Sequence, residues 1–95
     1  MLKVIVSPRA RGDLLQIIDY IRQDNQRAAE RFGNAILDHV EILGSFPQLG
    51  AAVDRKPGVR SLLHTPVRIY YRVNEKRKRI EILHFWHAAR REPKS

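Results

Sequence analysis

The apolar period of this chain changes at Phe46-Pro47, and that switch decides which layers it can build. Ahead of it, Ala10, Leu14, Ile17, Ile18 and Ile21 recur at helical spacing. Ala28, Ala29, Phe32, Ile36, Val40 and Leu43 then form a second stripe that ends near Phe46-Pro47, where proline cannot continue a helix. Ser7-Pro8 starts the first helix, because a serine side chain accepts first-turn N–H groups and proline is pre-set for the first helical position. The pattern breaks at Asp24-Asn25, with Asn25 suited to cap the second helix. Two amphipathic helices separated by so short a break predict an antiparallel hairpin. Before them, Leu2 to Val6 is a short β-branched run that reads as a strand.

Beyond Pro47 the pattern shortens to that of strands. Residues 47–58 contain two prolines and two glycines and read as an irregular loop. Val59 to His64 is a strand. Val67 to Asn74 alternates, with Val67, Ile69, Tyr71 and Val73 on one face and Arg68, Tyr70, Arg72 and Asn74 on the other. Glu75-Lys76-Arg77-Lys78 is a polar turn and Arg79 to Trp86 the last strand. A four-residue turn there sets Asn74 opposite Arg79, Arg72 opposite Glu81 and Val67 opposite Trp86. A slip of one residue would exchange the faces. The order β-α-α-β-β-β predicts an α+β fold, with an N-terminal helical hairpin packed on one face of a mostly antiparallel four-stranded sheet. The other face stays open. Residues 1–95 are expected to form a single domain, with a short charged tail, 88–95, partly disordered.

Charge is divided along the same line. Residues 1–50 carry six bases and six acids, whereas residues 51–95 carry twelve bases and four acids, which is the whole net charge of +8. A neutral scaffold beside a basic half implies an anionic partner, nucleic acid or an acidic protein. The open sheet face would display that basic half. With no cysteine, disulfides and thiolate metal sites are excluded, and a reducing, cytoplasmic setting is expected. No apolar run approaches the ~20 residues needed to cross a bilayer, so no membrane association is expected. The apolar core of the N-terminus is too short for a signal peptide.

Several residues are candidates for chemistry. Arg60 begins a strand beside the glycine-containing loop, where its planar guanidinium suits either a partner's phosphate or carboxylate, or a tie to a loop carbonyl or Glu81. Arg68 and Arg72 flank Tyr70 on one strand face, each ~7 Å from it along the strand, an arrangement that suits a nucleic-acid backbone or an acidic helix. Arg72 has a competing cross-strand partner in Glu81, so Arg68 is the stronger candidate. The run Lys76-Arg77-Lys78-Arg79 at a hairpin tip serves solubility first. His39, His64 and His84 lack the clustered spacing of a metal site, and no metal or other cofactor is expected. Asp13 and Asp19 carry no assigned chemistry.

Taken in order, Pro8, Ala10, Asp13-Leu14, Ile17, Tyr20-Ile21, Asn25, Ala28-Ala29, Phe32, Ile36, Leu43, Phe46-Pro47 and Gly50 resemble the helical half of the ParE/RelE superfamily of toxins from type II toxin–antitoxin (plasmid stabilisation) modules. The sheet half is similar through Gly58-Val59-Arg60, Leu62, Tyr71, Val73, Ile80, Ile82-Leu83 and the ending His87-Ala88-Ala89-Arg90. The Phe46-Pro47 to Gly50 segment and that ending look more like the ParE branch. The resemblance implies a toxin that poisons DNA gyrase without chemistry of its own, held inactive in a hetero-oligomer with a cognate antitoxin. Arg60, Arg68, Tyr70, Arg72, Arg90 and Arg91 are then expected to bind target or antitoxin. The alternative is a RelE-like, metal-independent endoribonuclease acting on mRNA in the ribosome. In that reading His87 is the general acid or base, with Arg60, Arg68 and Arg90 around the scissile phosphate. A tyrosine soon after the last strand, common in such nucleases, is missing; the last tyrosine is Tyr71.

Overall fold

In the computed structural model of the protein, which describes residues 1–88, the chain runs β1 (Lys3–Val6), α1 (Pro8–Asp24), α2 (Gln26–Glu41), a 3-10 turn (Ile42–Gly44), β2 (Ala51–Ala52), β3 (Val59–His64), β4 (Val67–Asn74) and β5 (Arg79–His87). The strands form one sheet in the order β1-β5-β4-β3-β2. β1 lies parallel to β5 and every other neighbour is antiparallel. The expected α+β architecture is therefore present, but the sheet is mixed and has five strands rather than four. The added strand, β2, is only Ala51-Ala52, too short to show any alternation. No described helix is long and apolar enough to cross a membrane.

Each helix begins where its capping chemistry dictates. Ser7 Oγ accepts the Ala10 N–H at 3.1 Å, with Pro8 in the first turn. Asn25, alone between the helices, donates its N–H to Ile21 O and accepts the Ala28 N–H on its Oδ1 at 3.0 Å. One extended residue thus closes one helix and opens the next. The second helix ends at Glu41, short of the expected Phe46, because the chain tightens into the 3-10 turn before reaching the proline.

Ala10, Leu14 and Ile17 of α1 and Ile36 and Val40 of α2 pack with Leu43 on one face of the sheet. That face presents Val67, Ile69 and Tyr71 from β4 and Ile80, Ile82 and Phe85 from β5, all buried. Side chains of this size each contribute roughly 1.5–3 kcal/mol on burial, so this single interlayer core dominates the stability of the described chain.

Within that apolar layer one polar group is fully enclosed. The Tyr71 hydroxyl donates to Pro47 O and accepts the Gly50 N–H, both at 2.8 Å. Arg60 donates to Gly50 O at 2.7 Å, so the loop is fastened on both sides of Gly50. A side chain cannot replace this glycine's hydrogen: an added Cβ would lie 2.6 Å from Ser61 O and 2.8 Å from the Tyr71 ring. Burial pushes the Tyr71 phenol above its ordinary value of 10.0, against the opposing pulls of the Gly50 N–H and the Arg60 charge. A raised phenol favours the folded state below pH 10.0 and loses that contribution as pH climbs through the folded value.

Tyr71→Phe leaves the buried Gly50 N–H without an acceptor, and we expect a loss of about 1–3 kcal/mol in urea unfolding at neutral pH. The gap between wild type and Tyr71→Phe should narrow as the solution is made strongly alkaline. A variant as stable as wild type at pH 7 would show that the loop is held by other means.

Candidate functional site

The outward face of the sheet is set by β4. Its alternation sends Arg68, Tyr70 and Arg72 away from the helices, and strand pairing assigns their neighbours to the same face: Leu63, Ser61 and Val59 on β3, and Trp86, His84 and Glu81 on β5. Asn74 faces Arg79 and Arg72 faces Glu81, as expected from the turn length. Val67, however, faces His87 rather than Trp86. The reason is a bulge between Tyr70 and Tyr71: Tyr70 pairs with His84 and Tyr71 with Ile82, leaving Leu83 as an extra residue on β5.

The bulge lies just where β1 ends. Beyond Val6 the β5 edge has lost its strand partner, and the start of α1 replaces it. The Ser7 N–H donates to Ile82 O at 3.0 Å and Ser7 Oγ donates to Leu83 O at 3.3 Å. Asp13 Oδ2 accepts the Phe85 N–H at 3.2 Å and also binds His84 Nδ1. Asp13 therefore acts as a one-residue substitute for a strand. The same contact orients His84, whose ring stacks on Tyr70 with centroids 5.9 Å apart and lies 5.6 Å from that of Trp86.

These aromatic rings floor a cleft of about 520 Å³ together with Val59 and Leu83. Its walls come from distant parts of the chain: Arg9 of α1 and the segment Val53, Asp54, Arg55 and Lys56 before β3. The Lys56 ammonium lies 6.0 Å from the centroid of the Tyr70 ring, at the limit of a cation–π contact. Arg68 stands beside the cleft, opposite Trp86, and holds only a 3.5 Å contact with Ser61 Oγ among the described residues. Cations around an aromatic floor suit an acidic partner that also carries planar or apolar groups.

Not every arginine of the basic half is equally available. Glu81 accepts from Arg79 at 2.8 Å and from Arg72 at 3.2 Å, and Asn74 adds a contact at 3.4 Å. Arg79 is the main reason its carboxyl lies below the ordinary value of 4.5, with Arg72 and Asn74 adding to the pull against desolvation. Arg72 is thus committed to the cross-strand pair, which at such an exposed site contributes only about 0.2–1 kcal/mol.

The residues selected from sequence divide between two faces. Arg68, Tyr70 and Arg72 share the outward one. Arg60 does not join them: it pairs with Tyr71 and so points to the helix side, where it binds Gly50 O. His87 also lies on the helix side, with its ring edge-on to Tyr20 at 6.2 Å. The sheet therefore separates Arg60 and His87 from Arg68, and these three do not converge on one point. Arg90 and Arg91 lie outside the described residues, as does the expected tail from residue 89 onward; Ala88 is described, donating its N–H to Pro66 O at 2.7 Å. Sequence reasoning missed the cleft-lining Arg9, Arg55, Lys56, His84 and Trp86, and gave Asp13 no role. The expected register had set Trp86 opposite Val67, on the helix side; the bulge turns it outward instead, opposite Arg68.

Two solved structures share this arrangement of a helical hairpin on a mixed sheet. One similar solved structure is the chromosomal ParDE toxin–antitoxin system from P. aeruginosa, at 28% identity and a TM-score of 0.76, covering 92% of this chain and 96% of that one. The toxin–antitoxin complex RelBE2 from Mycobacterium tuberculosis shares the fold at 21% identity and a TM-score of 0.67, over 90% of this chain and 96% of that one. No curated protein matched the sequence. Residues 4–92 match the family described as the ParE toxin of the type II toxin–antitoxin system parDE. The chain belongs to that family and is a ParE-like toxin.

A carboxyl lowered by its arginines stabilises the fold above pH 4.5 and loses that contribution as pH falls through its folded value. Glu81→Gln should accordingly be less stable than wild type at pH 6, with the difference closing as the solution is acidified below pH 4.5. Urea midpoints measured across that range test this; a difference independent of pH would mean that Glu81 acts through packing instead.

Proposed function

We propose that this toxin acts in the cytoplasm by binding DNA gyrase, and that a cognate antitoxin holds it inactive in a hetero-oligomer. The observation that carries the reading is the family match over residues 4–92, nearly the full chain. The similarity to a ParDE system supports pairing with an antitoxin. Charge supports it too, since Arg9, Arg55, Lys56 and Arg68 around the Tyr70–Trp86 floor suit an acidic segment. Ile42, Phe46 and Leu49 stand exposed along the turn and loop after α2, apolar surface of the kind that a partner covers. The ribosomal nuclease reading gains no comparable support, because Arg60 and His87 lie across the sheet from Arg68.

Purified toxin added to gyrase, relaxed DNA and ATP should inhibit supercoiling. Trp86→Ala or Arg68→Glu should raise the inhibitory concentration by about tenfold or more, the usual cost of removing an aromatic or arginine anchor. Full gyrase activity in excess folded toxin would overturn the gyrase assignment. The antitoxin assignment fails separately if the product of the neighbouring reading frame does not co-purify with the chain.

A further inference from the structure

His39 and His64 are separated by 25 residues and belong to no recognisable motif, yet folding brings their Nδ1 atoms to 2.8 Å. His39 stands in the last turn of α2 and His64 closes β3. His64 pairs with Val67, so it projects to the helix side. Its ring is held from two directions: the His39 ring centroid is 5.1 Å away and the Phe32 ring meets it edge-on at 5.7 Å. Both histidines are half-buried, so each keeps some contact with solvent.

At 2.8 Å two neutral imidazoles share a hydrogen bond, one Nδ1–H donating to the lone pair of the other. The same placement serves a second purpose. Metal–imidazole bonds are ~2.0–2.1 Å long, so two of them at a right angle set the nitrogens ~2.9 Å apart, and at the tetrahedral angle ~3.4 Å apart. The observed separation fits adjacent positions of a square-planar or octahedral ion, but the rings meet head-on, so each must turn by roughly 45° to aim its lone pair at the ion. A tetrahedral ion would require the rings to part by roughly half an ångström.

We propose that His39 and His64 form a two-imidazole chelate for a first-row divalent transition metal, copper(II) or nickel(II) ahead of zinc, that clips the end of α2 to the end of β3. Both Nδ1 lone pairs are then directed at the ion. The ring that donates in the hydrogen bond moves its proton from Nδ1 to Nε2, so a neutral pair binds without net proton release. Burial first, and the neighbouring His39 second, hold His64 below its ordinary value of 6.5, which favours the neutral ring that a metal needs. No group of three or more His, Cys, Asp or Glu gathers among the described residues, so water completes the coordination and binding is reversible. With a net charge of +8 the chain has no general attraction for cations. Retention of a metal therefore reports on specific donors. Because the two rings meet only in the folded chain, a bound ion stabilises the fold.

The test is a calorimetric titration of the untagged chain with CuCl₂ and NiCl₂ at pH 7.5, joined to NMR mapping of paramagnetic broadening. We expect one ion per chain, a higher thermal midpoint with metal, and broadening centred on His39 and His64. His39→Gln and His64→Gln should each weaken binding by about tenfold or more, whereas His87→Gln should not. The proposal is wrong if no saturable binding occurs, if binding survives both substitutions, or if broadening centres on the N-terminal amine or another histidine. The wild-type broadening map decides the matter even if a histidine variant fails to fold.

Discussion

The pairing of β4 with β5 governs the described molecule, because it assigns every important side chain to one face or the other. Val67, Ile69 and Tyr71 fill the interlayer core from β4, and Ile80, Ile82 and Phe85 meet them from β5. A regular ladder could not keep both sets inward together with the outward stack of His84 on Tyr70. Leu83, the extra residue, absorbs the change of phase between Ile82 and Phe85. It also coincides with the end of β1, where the β5 edge needs new partners. Ser7 and Asp13 supply them from the start of α1. Bulge, helix start and aromatic cluster therefore form a single arrangement.

Charge is sorted by the same pairing. The second half of the chain is basic as a whole, but Glu81 draws Arg72 and Arg79 into a local cluster. Arg60 is turned inward to a loop carbonyl. The cations left around the aromatic floor come from three separate places: Arg9 on α1, Arg55 and Lys56 ahead of β3, and Arg68 on β4. A net charge thus overstates what any one surface offers. What matters for a partner is that these cations border Tyr70 and Trp86, where water is partly excluded and a charged contact is less screened.

Much of the fold was legible because its signals are local. Ser7, Pro8 and Asn25 mark helix ends through their own side chains, and the alternation of Val67–Asn74 gave that strand its faces. β3 was harder. Val59-Arg60-Ser61-Leu62-Leu63-His64 shows no clean alternation, so nothing in the run itself says that Arg60 points inward with Leu62. β2 is invisible, since two alanines carry no period. The Asp13–His84 contact beside the bulge at Leu83 joins residues 71 apart, and the His39–His64 pair arises only when α2 lies over the sheet. The site was less legible than the fold because it is assembled almost wholly from such distant meetings.

The two faces of the sheet are not independent. Tyr71 and Arg60, both on the helix side, fix the chain at Pro47 and Gly50. From Gly50 the chain passes through β2, the edge of the sheet, and Val53 donates to Val59 O at 3.0 Å as the segment doubles back toward β3. Asp54, Arg55 and Lys56 lie within that doubled segment and form one wall of the outward cleft. The position of that wall is therefore set by hydrogen bonds buried beneath the opposite face. Loss of the Tyr71 hydroxyl would be felt in the cleft even though it touches nothing there, which distinguishes this arrangement from a loop merely resting on the surface.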